Sequence, residues 1–248
     1  MPDDRPPKAG SAKARIGPVM DLLSQHYPDA HCALTFSNPL ELLVATILSA
    51  QCTDKRVNLV TPALFERFPT AQSYAEADLS ELESYIKSTG FFRNKAKNIR
   101  ACCKLLVERH GGQVPHSLEE LVRLPGIGRK TANVVLGNAF ETPGITVDTH
   151  VGRLSRRLGF TRQIDPHKVE RALMVIVPRE KWTIFSHELI LHGRAVCHAL
   201  RPDCPNCILS PYCPKVGVRA RLAELKRSRQ RKPVTKPQPT ELRLRKPS

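Results

Sequence analysis

Between residues 39 and 199 the apolar residues recur three and four apart, and nowhere do they alternate singly as in a strand. That period lines them up along helix faces, so the class expected is all-α. Pro39 to Gln51 is apolar on nearly every face and should form a buried helix. Asp54, Thr70 and Asp78 sit where N-caps start further helices, the last over Leu79 to Ser88. Asn94 to His110 is periodic and stops at Gly111-Gly112. Ser117-Leu-Glu-Glu120 reads as a capping box for Leu118 to Arg123. Asp165-Pro166 opens a helix running to Val177, where Pro178 closes it, and Trp182 to Ala199 is another.

Charge narrows the classes of partner. The chain of 248 residues carries a formal +16, which points towards a polyanion. Much of the excess is terminal. Twelve Lys or Arg against two Glu give residues 215–248 a net +10. That stretch reads as a disordered basic arm with non-specific DNA contact as its use. The first 15 residues are rich in Pro, Lys and Ala and read as a flexible tail. The longest apolar run, Leu42 to Ala50, is too short to span a bilayer, and no apolar leader opens the chain. A cytoplasmic protein without a membrane partner is expected.

Leu124-Pro-Gly-Ile-Gly128 lies between two helical segments. Its glycines let the backbone turn tightly, and their N–H groups, with the first turn of the next helix, can face a DNA phosphate. Such contacts fix position and ignore sequence. Lys130 follows at that helix's N-terminus, where the dipole, and burial if present, disfavour a charged ammonium and free an amine for attack. Asp148, eighteen residues on, starts the helix through Arg157. Taken alone, the lysine reads as solvated and the aspartate as an N-cap.

Four of the eight cysteines crowd into Cys197-x6-Cys204-x2-Cys207-x5-Cys213. In a reducing compartment that set reads as a metal or cluster site. Four thiolates hold either Zn²⁺ or a [4Fe–4S] cluster, and spacing alone leaves the choice open.

Read together, Leu-Pro-Gly-Ile-Gly-Arg-Lys-Thr-Ala, Val-Asp-Thr-His-Val, Leu191-His-Gly-Arg194 and the cysteine set resemble the endonuclease III family of helix-hairpin-helix DNA glycosylases. The resemblance covers roughly Ile16 to Pro214. It implies a bifunctional enzyme that excises oxidised pyrimidines from duplex DNA and cuts 3′ to the abasic site by β-elimination. Lys130 would form the Schiff base and Asp148 would assist it. Adenine glycosylases share the aspartate and the cysteines but usually lack the lysine. A non-catalytic DNA-binding scaffold on this fold would have lost the pair.

The same resemblance favours [4Fe–4S] on Cys197, Cys204, Cys207 and Cys213. It places DNA contacts at Gln51, Phe91, Gly126, Ile127, Gly128, Arg129, His150 and Arg201. Gln51 would face the orphaned base and Phe91 would stand where many relatives carry a wedging leucine, although a core aromatic is an equal reading of Phe91. The partner implied is double-stranded DNA bearing damaged bases or abasic sites, bound by a monomer associated with the chromosome. Two helical domains would flank the DNA cleft: residues 32–142 with the hairpin, and residues 16–31 plus 143–215 with the cluster. Residues 1–15 and 216–248 would be tails.

Overall fold

The computed structural model describes residues 10–218. They form eleven α-helices joined by turns, and no strand occurs among the described residues. In chain order these are α1 (Ala12–His26), α2 (Pro39–Leu48), α3 (Asp54–Arg67), α4 (Ala71–Ala75), α5 (Leu79–Ile86) and α6 (Phe92–His110). There follow α7 (Leu118–Leu121), α8 (Arg129–Ala139), α9 (Thr149–Arg157), α10 (Pro166–Ile176) and α11 (Trp182–Ala195).

The apolar faces close around two cores. The first collects Leu42, Leu43, Leu64, Leu82, Ile99, Leu106 and Leu136, all drawn from residues 34–136. Its axis is α2, whose residues Leu42 to Leu48 are all buried, as its all-round apolar pattern requires. Helices α6 and α8 pack against it. The second core joins Ile16, Val19 and Leu23 of α1 to Val151, Leu154, Leu173, Phe185 and Leu189. Helix α1 is thus built into the same core as residues 145–209.

Several local expectations are corrected. Residues 12–15 were expected in a flexible tail, but α1 begins at Ala12, with Ser11 accepting from the Ala14 N–H. The reason is tertiary. Arg15 is buried and donates to the carbonyls of Leu158, Tyr212 and Gly159, none of which composition could reveal. Thr53, not Asp54, caps α3. Asp54 instead pairs with Arg194 at 2.8 Å. Only half of the capping box forms: Ser117 accepts from the Glu120 N–H, while its hydroxyl donates to Glu119. Helix α11 stops at Ala195, four residues early, because Arg157 takes the carbonyls of Cys197, His198 and Ala199. The basic arm from residue 219 onward and residues 1–9 lie outside the described residues; Val218 is buried.

Candidate active site

The hairpin is built from Leu124 to Gly128, between α7 and α8. Gly126 sits at φ +79°, and a Cβ there would meet Asn98 at 3.0 Å, so two independent constraints exclude a side chain. Gly128 is different. Its backbone is extended, with φ −92° and ψ 170°, and a Cβ would touch nothing within 4 Å. The turn itself therefore does not demand this glycine; what it leaves is clear space before the N-terminus of α8. No side chain caps that helix, so its first N–H groups face outward with their partial positive charge. Ile127 was expected at the DNA. Its side chain points the other way, into the first core at 5% exposure, and anchors the hairpin. Only its backbone remains for a phosphate.

Lys130 is the second residue of α8 and is exposed. Asp148 caps α9, its Oδ1 accepting from the Val151 N–H at 2.8 Å. No hydrogen bond among the described residues engages Oδ2. The bland role of this aspartate is therefore real and uses one oxygen only. Both residues line one pocket, together with Cys32, Thr46, Thr131, Thr146, His187 and others. Its walls come from both halves of the molecule. His187 is held towards its neutral form by burial and then by His31, and its ring contacts the Asn138 amide oxygen at 2.9 Å.

Arg129 was also expected at DNA. Its guanidinium forms a two-pronged pair with Glu170 at 2.6 and 3.1 Å, which leaves its backbone N–H at the start of α8 uncapped by any side chain. Glu170 is 3% exposed and also accepts from Asn133, whose amide donates to the Ile145 carbonyl. This network ties α8 to α10 and to the segment leading into Asp148. It joins the helix that carries Lys130 to the segment three residues before Asp148. A carboxylate buried this deeply is tolerated only when so paired. Sequence reasoning missed Glu170 and Asn133. The available signal was a charge flanked by Val169 and Leu173 on the apolar stripe of a helix.

Gln51 and Phe91 share an unusual backbone. Their φ values are +53° and +48°, left-handed for residues that are not glycine, which costs on the order of 1 kcal/mol or more at each. Both are exposed, Phe91 at 66%. Phe91 is therefore not a core aromatic; its neighbour Phe92 packs on the first core. Strain and an exposed phenyl ring both work against folding stability, so neither is explained by the fold.

His150 is half-buried, and its Nδ1 meets Arg153 Nη2 at 3.0 Å. Burial lowers its pKa, against the pull of Asp148. It lies so close to α11 that a Cβ on Gly193 would meet Nδ1 at 2.8 Å, which explains the glycine in Leu191-His-Gly-Arg194. Arg201 is exposed on the cysteine loop.

The four loop cysteines, Cys197, Cys204, Cys207 and Cys213, line a single pocket with Arg157. Arg157 donates to the Cys197 sulfur at 3.3 Å, and His192 Nε2 lies 3.3 Å from the Cys207 sulfur. Burial pushes the Cys207 thiol up to about 11, with the other three sulfurs adding to it. A multiply charged metal group between the sulfurs reverses that balance, so the donor chemistry fits such a group. Among the described residues no three His, Cys, Asp or Glu side chains converge on a point as for a single ion.

Residues 44–179 match the HhH-GPD superfamily base excision DNA repair protein model. Endonuclease III of Synechocystis sp. is 54% identical over 84% of this chain and 95% of its own. A trapped endonuclease III–DNA covalent intermediate, an estranged-adenine complex, is 49% identical, with a TM-score of 0.78 over 82% of this chain and 96% of that one. A non-covalent endonuclease III–DNA complex has the same TM-score at 47% identity, over 88% and 99%. The chain belongs to the HhH-GPD superfamily and, within it, to the endonuclease III family.

Proposed function

We propose that this chain excises oxidised pyrimidines from duplex DNA and cuts the strand 3′ to the resulting abasic site, with Lys130 as nucleophile and Asp148 as its electrostatic partner. The DNA glycosylase and AP lyase activity of base excision repair goes with the family. The assignment to residues is carried by one observation: an amine and a carboxylate oxygen, both free of partners among the described residues, line one pocket beside an uncapped helix N-terminus. The similarity to an endonuclease III trapped covalently on DNA supports the same chemistry.

Lesion-bearing duplex DNA lies across the pocket, its phosphates on the backbone N–H groups of Gly126 to Gly128 and the first turn of α8. The damaged nucleotide rotates out of the stack. Neutral Lys130 Nζ attacks C1′, the glycosidic bond breaks, and the base leaves with the proton that nitrogen sheds. The ionised Asp148 stabilises positive charge on the sugar as the bond lengthens. The C1′–O4′ bond of this N,O-acetal then breaks, the remaining proton on nitrogen passes to O4′, and an imine joins C1′ to Lys130. Loss of a C2′ proton then expels the 3′ phosphate, and water finally releases the lysine. Gln51 and Phe91 fill the gap left by the extruded nucleotide. His150 and Arg201 add contacts to the DNA backbone.

The two cores support a division into a hairpin-bearing domain, residues 32–142, and a cysteine-loop domain formed by residues 16–31 and 143–215. Cys197, Cys204, Cys207 and Cys213 would hold a [4Fe–4S] cluster, which when bound supplies a rigid cross-link for a loop with little apolar core. We take the working form to be a monomer, acting on chromosomal DNA in the cytoplasm. No described helix is long and apolar enough to cross a membrane.

The test is borohydride trapping. Wild-type protein is expected to become covalently fixed to a duplex carrying one oxidised pyrimidine and not to the undamaged duplex. Capture of neither that duplex nor one with an abasic site would overturn the reading. For the cluster, protein purified without oxygen should be yellow-brown and contain iron and sulfide in about equal amounts. Stoichiometric zinc without iron would reject it. Cys204→Ser should chiefly lower the yield of folded protein.

A further inference from the structure

Lys95 is buried, 4% exposed, near the start of α6. Its ammonium donates to the carbonyls of Leu48 and Thr89, each at 2.8 Å. Leu48 is the last residue of α2, where the helix leaves a carbonyl without an internal partner and its dipole is negative. Thr89 ends the short turn after α5. Three residues beyond Leu48 stands Gln51, and two beyond Thr89 stands Phe91. The Lys95 backbone N–H closes the figure by donating to the Phe91 carbonyl at 3.1 Å. One side chain therefore grips the roots of both exposed, left-handed residues. Among the described residues it has no carboxylate partner. A buried cation satisfied only by carbonyls is a demanding way to join two turns.

We infer that Lys95 is a positioning residue for nucleotide extrusion, fixing Gln51 and Phe91 as one two-pronged unit that enters the duplex in a single step. This rests on the reading that those two side chains fill the gap. Without the ammonium the two turns move independently, and the prongs no longer arrive at a fixed separation. The loss falls on opening the base pair and not on the chemistry that follows.

The experiment compares single-turnover base release from the same oxidised pyrimidine in a fully paired duplex and in an unpaired bubble, where extrusion costs little. Lys95→Met, which keeps length and apolar bulk, is expected to slow release from the paired duplex about tenfold or more and from the bubble less than about threefold. Phe91→Ala and Gln51→Ala should show the same paired-selective defect. Lys95→Met combined with Phe91→Ala should be no slower than about twofold beyond the worse single variant, because both act on one step. A fluorescent base analogue beside the lesion should report slower opening.

Equal slowing of Lys95→Met on paired and bubble DNA would mean a merely structural lysine and would overturn the inference. So would an unchanged rate on both. If Phe91→Ala and Gln51→Ala lack the paired-selective defect, the gap-filling reading itself fails. If they have it and Lys95→Met does not, only the coupling fails. Should Lys95→Met not fold, Lys95→Gln, which can still serve one carbonyl, is expected to give a weaker defect of the same selectivity, and the same outcomes decide.

Discussion

Lys130→Gln is expected to abolish borohydride trapping on DNA containing an oxidised pyrimidine while leaving DNA binding nearly intact. The lysine is exposed and has no hydrogen bond or ion pair among the described residues, so the fold has little to lose. Glutamine is about as good a helix former, and a surface change of this kind is worth within about 0.5 kcal/mol of stability. The phosphate-binding donors are backbone groups of the hairpin and remain in place, held by Ile127 in the core and by the Arg129–Glu170 pair. What disappears is the only group assigned to attack C1′. The measurement is covalent capture by a variant shown to be folded by circular dichroism. Efficient capture would assign the nucleophile to another amine and overturn the mechanism.

Asp148→Asn separates the two roles that the structure gives this residue. The cap uses Oδ1 alone, accepting from Val151 at 2.8 Å, and an asparagine oxygen caps a helix equally well. Folding should therefore survive with little change, whereas Asp148→Ala loses the cap as well, at about 1 kcal/mol. The negative charge is absent from both variants. If it stabilises the cationic sugar, base release should slow by about two to three orders of magnitude, the scale seen when one preorganised electrostatic partner is removed. Cleavage of a preformed abasic site should fall less, since no base needs to be expelled. Single-turnover rates on the two substrates decide the matter. An undiminished rate of base release by Asp148→Asn would reduce this aspartate to a cap.

Most of the helical framework is legible from local sequence because its signals act within four residues. Asn38, Thr70, Asp78, Ser117, Asp148 and Asp165 each accept from the N–H three residues on, as a short polar side chain before an apolar stripe should. Gly111 ends α6 in the left-handed conformation for the same local reason. The hairpin, the lysine, the aspartate and the cysteine loop also announce themselves by close spacing.

The rest depends on residues distant in sequence. The side-chain partner of Arg129 is Glu170, forty-one residues away, which takes its guanidinium. Asp54 reads as a cap, but Thr53 before it takes that role, and the carboxylate pairs with Arg194, one hundred and forty residues away. Residues 12–15 read as a tail until Leu158, Gly159 and Tyr212 offer carbonyls to Arg15. The exposure of Phe91 and its left-handed backbone are seen only in the tertiary structure, since no pattern of apolar residues encodes them. The sequence by itself determined which helices form and which residue types carry the chemistry, because caps and periodicity are short-range. Tertiary structure alone decided which charges face the pocket and which are spent inside, because a buried charge takes whichever partner the packing brings within about 3 Å.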